Sequence, residues 1–232
     1  MPTIVDLADT LWAAKPAGGS FVIGLTGGVA CGKSTLAAAL VDALAGRAER
    51  PTVELVGTDG FLYPNAVLIE RGVLDRKGFP ETYDRAAMVA ALNMARTGPA
   101  LFPGYSHLLY DVDPALARNL DRPEVLIIEG LGLDREVPLD RLVYLDAERA
   151  DQEAWYVARF LDFWERGRDD SRSFYSRFRD MDRDGVSRLA AMVWSKVNLP
   201  NLEAHIEPVR DTADLVVRKD AAHAITAIQV QG

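Results

Sequence analysis

A single cysteine, Cys31, is all the thiol chemistry this sequence carries. It excludes an internal disulfide and any metal site built on several cysteines, and it suits a reducing cytosol. Long apolar runs are missing as well. No stretch approaches the ~18 residues needed to span a bilayer, and Asp6 and Asp9 interrupt what could otherwise pass for a signal peptide. Basic residues are in deficit, 26 Lys and Arg against 34 Asp and Glu, for a net charge of −8. Without clustered Lys and Arg there is no electrostatic footprint for nucleic acid or an anionic membrane. No repeat or low-complexity segment is visible. These absences point to a cytoplasmic enzyme or small-molecule binder, and 49 % apolar residues over 232 positions are enough to bury the core of one domain.

What is present is a run of short apolar segments alternating with helical patterns. Ile4, Val5, Leu7, Ala8, Leu11 and Trp12 fall at helical spacing, and Pro16-Ala17-Gly18-Gly19 breaks the pattern. Residues 1–20 therefore read as an amphipathic helix and a linker, with a single domain from 21 to 232. Phe21 to Leu25, Val53 to Gly57, Val125 to Ile128 and Leu142 to Leu145 have the length of buried strands. Helices are expected over Ser34–Leu44, Asp84–Ala95 and Arg149–Glu165, and two more helical patterns lead to Pro200. Leu215-Val216-Val217 followed by Ala221–Ile228 is expected to be a closing strand and helix. The charged Gly167–Ser173 segment suggests a mobile lid around residues 165–180. Alternation of this kind implies an α/β fold in three layers, a mostly parallel sheet with helices on both faces.

The first strand runs into Gly27-Gly28-Val29-Ala30-Cys31-Gly32-Lys33-Ser34, followed by Thr35. This fits the phosphate-binding loop pattern G-x-x-x-x-G-K-[ST], and a helix follows it as the pattern requires. In such a loop the glycines let successive backbone N–H groups turn toward phosphate oxygens. The lysine reaches the β- and γ-phosphates of a bound nucleotide, and the serine hydroxyl can ligate Mg²⁺. Four fixed positions match by accident in on the order of one chain in a hundred of this length. Cys31 reads as a small filler of the loop, since thiol reactivity needs a thiolate.

In parallel sheets ligands collect at the C-terminal ends of the strands. The second strand ends in Thr58-Asp59-Gly60-Phe61 and the one from Val125 in Glu129-Gly130. Two carboxylates beside a nucleotide loop suggest a division of labour. One would serve Mg²⁺ or its water, and the other would accept or orient the proton of an attacking hydroxyl. Asp59 could instead be a turn-former before Gly60, a reading the neighbouring phosphate loop makes less attractive. The guanine-reading segment Asn-Lys-x-Asp is absent, and the chain is short for a mechanical ATPase. A small-molecule kinase fits the size.

Several further segments carry a resemblance. They are Val53 to Asn65, Glu70-Arg71-Gly72, Lys77-Gly78-Phe79-Pro80-Glu81-Thr82-Tyr83-Asp84, Tyr105-Ser106-His107-Leu108-Leu109-Tyr110-Asp111-Val112, Ile128-Glu129-Gly130-Leu131, Trp155-Tyr156-Val157-Ala158-Arg159-Phe160, Val197 to Leu202 and Ala222-His223-Ala224. With the phosphate loop, Asp59 and Glu129, the sequence resembles the bacterial type I pantothenate kinases of the phosphoribulokinase/uridine kinase group, from about Phe21 to Ile225. The resemblance implies ATP and Mg²⁺ as cofactors and pantothenate as acceptor. It makes Asp59 the base or positioner for the acceptor hydroxyl. Lys33 and Arg159 would neutralise charge on the transferring phosphoryl group, and Ser34 with Glu129 would hold Mg²⁺. Tyr105, His107, Tyr156 and Asn198 match positions lining the pantothenate site, and His223 matches a position whose ring packs on adenine. The rest of the aromatic stripe on that helix, Trp155 included, reads mostly as core, with Phe160 and Phe163 available to wall off an apolar end of the ligand. Relatives commonly pair as homodimers through the phosphate-loop helix.

The sequence also departs from that family. About twenty residues precede the first strand where family members usually have more, Ala38 stands where an arginine often binds coenzyme A in feedback, and the segment from Gly130 to Leu142 is shortened. Weak or absent feedback inhibition by coenzyme A is expected. Two other readings stay open: the same machinery acting on a nucleoside, sugar or related alcohol, and a non-catalytic ATP-binding regulator.

Overall fold

A computed structural model describes residues 1–231. The chain begins with helix α1 (Ile4–Ala13), whose cap is Thr3. The Thr3 hydroxyl accepts from Asp6 N while the Asp6 carboxylate accepts from Thr3 N, so two otherwise unpaired amides are satisfied reciprocally. Strand β1 (Phe21–Gly27), helix α2 (Lys33–Ala45) and strand β2 (Val53–Gly57) follow. Then come short helix α3 (Asn65–Glu70) and α4 (Arg85–Ala95), the latter started by Asp84, whose side chain accepts from Ala87 N at 2.9 Å. Strands β3 (Pro99–Phe102), β4 (Tyr105–Ser106), β5 (Asp111–Val112) and β6 (Arg118–Asp121) form two small ribbons, β3 with β6 and β4 with β5. After β7 (Val125–Glu129), β8 (Arg141–Asp146), α5 (Arg149–Gly167) and α6 (Arg183–Val193), the chain closes with β9 (Leu215–Lys219) and β10 (Ile225–Val230).

The six long strands make one sheet in the order β10-β9-β8-β1-β7-β2, parallel throughout except for β10 against β9. Because side chains alternate across a sheet, each strand feeds two cores. Phe21, Ile23 and Leu25 of β1, Val125 and Ile127 of β7, and Val143 and Leu145 of β8 pack with Leu7 and Leu11 of α1 and Leu36, Leu40 and Leu44 of α2. Val22, Leu126, Ile128, Leu142 and Tyr144 face the other way, toward Met88 and Leu92 of α4, Phe160 and Trp164 of α5, and Val186 and Ala190 of α6. Full burial of each such aliphatic side chain stabilises the fold by roughly 1.5–3 kcal/mol before ordering costs, which explains why these strands are apolar almost end to end.

One expectation about the elements needs correction. The segment from Ala221 is not a helix. It forms a turn and then β10, where Ile225, Thr226, Ile228 and Val230 supply the β-branched residues of an edge strand laid antiparallel on β9. The small ribbons between α4 and β7 were not foreseen, because four- and two-residue strands leave no readable period. The charged Gly167–Ser173 segment is held by local turns, with Asp170 N donating to Gly167 O and Ser173 N to Asp170 O. Phe174 N then donates to Leu108 O across to the β4–β5 ribbon. Among the described residues, no helix is long and apolar enough to cross a membrane.

Candidate active site

The C-terminal ends of β1, β2 and β7 open onto one cleft of about 740 Å³. The phosphate loop forms its floor. Gly27 and Gly32 take positive φ of 146° and 86°, and Ala30 joins them at 63°, so the loop coils back on itself and ends as the left-handed N-cap of α2. A Cβ at Gly27 would strike the Leu145 carbonyl, and one at Gly28 would strike the buried side chain of Gln152, so β8 and α5 press the loop from behind. Val29, Ala30, Gly32, Lys33, Ser34 and Thr35 line the cleft, whereas the Cys31 side chain is fully buried beneath it. Burial pushes the Cys31 thiol up, against the pull of Lys33 and Lys219, so it stays protonated as a filler. Lys33 is nearly buried, and its Nζ donates to the carbonyls of Gly27 at 3.1 Å and Gly28 at 2.8 Å.

Ser34 Oγ donates to Glu129 Oε1 at 2.8 Å. The contact is a consequence of sheet order, since β7 lies beside β1 and its last residue emerges next to the first turn of α2. Burial raises the Glu129 carboxyl above the ordinary carboxylate range, opposed by Lys33 and by the serine hydroxyl. A hydroxyl and a carboxylate are hard oxygen donors, the pair that suits Mg²⁺ beside phosphate oxygens.

Asp59 sits in the 3₁₀ turn that follows β2 and lines the same cleft. Its Oδ1 accepts from the Tyr83 hydroxyl at 3.3 Å. Tyr105 and His107, from the β4–β5 ribbon, wall the cleft beyond Asp59. The His107 ring stacks on Phe163 of α5 at 5.7 Å and meets Tyr105 edge-on at 5.2 Å. Loss of solvent around the His107 ring lowers its pKa, partly offset by Asp59, so near neutral pH it offers one donor and one acceptor. Arg159 lines the cleft from α5, its guanidinium 6.0 Å from the Phe163 ring.

Helix α5 crosses the whole site. Trp155, Arg159 and Phe163 recur every four residues, so one helical face serves the cleft from end to end. Trp155 is half-buried: it packs on the edge of the core and also lines the cleft, where it stacks on His223 with centroids 4.0 Å apart. His223 is in a turn at positive φ, 63°, fixed by Asp220, whose carboxylate accepts from Ala222 N and Ala224 N. Phe160 faces away and is buried. Tyr156 and Asn198 do not line the cleft. Tyr156 is buried against Trp194 and Phe160, and Asn198 lies in a π-helical turn with its Nδ2 buried and unpartnered.

Sequence reasoning assigned no role to Lys77. Its Nζ donates at 2.6 Å both to Asn65 Oδ1 and to the Tyr110 carbonyl. It also lies 4.9 Å and 4.4 Å from the Tyr105 and Tyr110 ring centroids. Burial lowers its pKa to about 8, with Asp111 and Asp59 pulling the other way. The only signal for it was membership of the segment Lys77–Asp84, and nothing in linear spacing says that this segment folds back onto Asp59.

A pantothenate kinase of Myxococcus xanthus is 39 % identical over 98 % of this chain and 79 % of its own length. The chain belongs to the pantothenate kinase family. Family members from Bradyrhizobium sp. and Streptococcus pyogenes are each 38 % identical over 91 % of the chain, which spans 71 % and 72 % of them. No protein-family model matches the chain. Among solved structures, a protein of Silicibacter sp. TM1040, provisionally named a fructose transport system kinase, superposes with a TM-score of 0.76 at 28 % identity, over 93 % of this chain and 99 % of that one. The D-glycerate 3-kinase of Cryptococcus neoformans shares the fold alone, with a TM-score of 0.64 at 12 % identity. This pantothenate kinase family member thus has the three-layer α/β phosphate-loop kinase fold expected from its sequence.

Proposed function

We propose that this chain transfers the γ-phosphoryl group of ATP to the primary hydroxyl of pantothenate, giving 4′-phosphopantothenate in the cytoplasm. The observation that carries the reading is the single cleft in which a phosphate loop, a strand-end carboxylate and a wall of neutral hydrogen-bonding side chains meet. Its relatives at 38–39 % identity bear the name of that activity.

In this reading the amides of residues 27–35 cradle the phosphates. Lys33 exchanges its bonds to the Gly27 and Gly28 carbonyls for phosphate oxygens, and Arg159 approaches the transferring group from α5. Asp59 accepts or orients the acceptor's hydroxyl proton, while Tyr105 and His107 hydrogen-bond its polar groups. Tyr156 and Asn198, which the resemblance matches to the acceptor, lie outside the cleft wall and would reach the acceptor only once that wall shifts. His223 and Trp155 meet the base. Ser34 and Glu129 would hold Mg²⁺, which when bound neutralises charge on the β- and γ-phosphates. The test is a coupled assay of ATP turnover with pantothenate and Mg²⁺, run beside uridine, fructose and a no-acceptor control. Turnover with pantothenate, lost in Asp59→Ala while ATP still binds, is the expected result.

A second reading changes only the acceptor, to a sugar or another small alcohol. It is favoured by the Silicibacter structure, which matches this chain nearly end to end. Turnover with fructose and silence with pantothenate selects it.

A further inference from the structure

The segment Lys77–Asp84 returns toward the strand ends with no role in the reading above, yet it is clamped from several sides. Gly78 N donates to Thr82 Oγ1 at 3.0 Å, and Asn201 Nδ2 donates to the Gly78 carbonyl at 2.9 Å. Its last residues run antiparallel to the turn that carries Asp59. Tyr63 N donates to Thr82 O at 2.9 Å, Asp84 N to Phe61 O at 2.7 Å, and Leu62 bridges to Tyr83. This pairing delivers the Tyr83 side chain behind Asp59, on the side away from the cleft. The Tyr83 ring is 5 % exposed and packs over Gly132, where a Cβ would come within 3.6 Å of it.

We infer that Tyr83 is a positioning residue for the Asp59 carboxylate, holding Oδ1 through its hydroxyl so that the other oxygen is presented to the acceptor's alcohol. The inference rests on the reading of Asp59 as the group that handles the hydroxyl proton. A phenol suits the task. It is planar, it is pinned by packing, and burial beside Asp59 keeps its proton in place at any working pH, so it is always the donor. A carboxylate that lost this donor would rotate more freely and present its second oxygen less often in the productive direction. Around Asp59 lie Lys33, Lys77, His107, Arg159 and Glu129, and the phenols of Tyr105 and Tyr110. None of these hydrogen-bonds Asp59 directly, whereas Tyr83 does.

The test is Tyr83→Phe, which keeps the ring and removes only the hydroxyl. Turnover number should fall about tenfold to a hundredfold, the worth of one hydrogen bond to a charged group, with KM for ATP and for the acceptor unchanged within about twofold. Tyr144→Phe is the control for losing a buried phenol elsewhere: Tyr144 lies in β8, 1 % exposed, and its variant should keep its turnover number. Melting temperature is measured on both. Wild-type turnover in Tyr83→Phe overturns the inference, as does a loss confined to melting temperature, one matched by a rise in KM, or one shared by Tyr144→Phe. Asp59→Asn separates the two levels. An inactive Asp59→Asn with an unaltered Tyr83→Phe rejects the positioning role alone, and an active Asp59→Asn rejects the reading beneath it.

Discussion

Trp155 and His223 stack face to face at 4.0 Å with their planes 26° apart, at the end of the cleft where the phosphate loop enters α2. The histidine ring matched to adenine therefore already has an aromatic partner. A base arriving there must stack on the open face of this pair or part it. Either event changes the surroundings of Trp155.

Titration with ATP should change the tryptophan emission, and Trp155→Phe should remove most of that change although Trp12, Trp164 and Trp194 remain. Trp155→Ala should weaken nucleotide binding about tenfold, the lower range for one base–aromatic stack, and leave the acceptor KM alone. Unaltered nucleotide affinity in Trp155→Ala places the base elsewhere.

The Ser34–Glu129 bond at 2.8 Å predicts a metal phenotype. Glu129→Gln should lower turnover by about 10²–10³, the scale of losing a group that fixes charge at the transferring phosphate, and raise the Mg²⁺ concentration needed for half activity. Nucleotide binding measured without metal should persist. Since burial raises the Glu129 carboxyl, binding of Mg-ATP should weaken as pH falls and release protons where this carboxyl is part-protonated. Calorimetry in buffers of different ionisation enthalpy reads this directly.

Lys77 makes stability depend on alkaline pH. Its pKa is lowered in the folded chain to about 8 from 10.5. Below pH 8 both folded and unfolded chains carry the proton. Between those values the unfolded chain binds more protons, so stability rises with pH across that window. Allowing for partial solvent exposure, the gain from pH 8 to 9.5 should be about 1 kcal/mol relative to Lys77→Met, measured by urea unfolding. A Lys77→Met variant with the same pH slope as wild type argues against this origin.

Gly130 is the residue whose backbone lets Thr58 approach β7. It takes φ +143°, and a Cβ there would lie 3.0 Å from Thr58 Cβ and closer still to its hydroxyl. Gly130→Ala should cost about 2–4 kcal/mol from backbone strain and overpacking, and lower the melting temperature by roughly 5–12 °C. A loss under about 1 kcal/mol would mean that the Thr58 turn can yield.

Much of this architecture was legible in one dimension because its signals are local. The apolar runs of β1, β7 and β8 are short and carry no charge inside them, and the phosphate loop is contiguous, so strand, glycine turn and helix N-terminus appear in reading order. Segment Ala221–Ile228 failed for the opposite reason. Its mixture of alanine and β-branched residues suits either period, and pairing with β9 decided it. Trp155 was hidden among aromatic neighbours at helical spacing, where a core residue and a cleft residue look alike until the helix is docked.

By itself the sequence determined the layer architecture and the phosphate loop and singled out Lys33, Ser34, Asp59 and Glu129 as candidates, which line one cleft, since hydrophobic period and contiguous motifs are properties of neighbours in the chain. Only the tertiary structure decided who serves whom. It put Tyr83 behind Asp59, Lys77 between two tyrosine rings, Trp155 against His223, and Tyr156 and Asn198 outside the cleft wall. The contacts of Tyr83, Lys77 and Trp155 join residues 24 to 68 positions apart, and those of Tyr83 and Lys77 depend on a short segment folding back beside a strand end. Such returns are set by long-range hydrogen bonds and packing, for which a linear pattern carries no period.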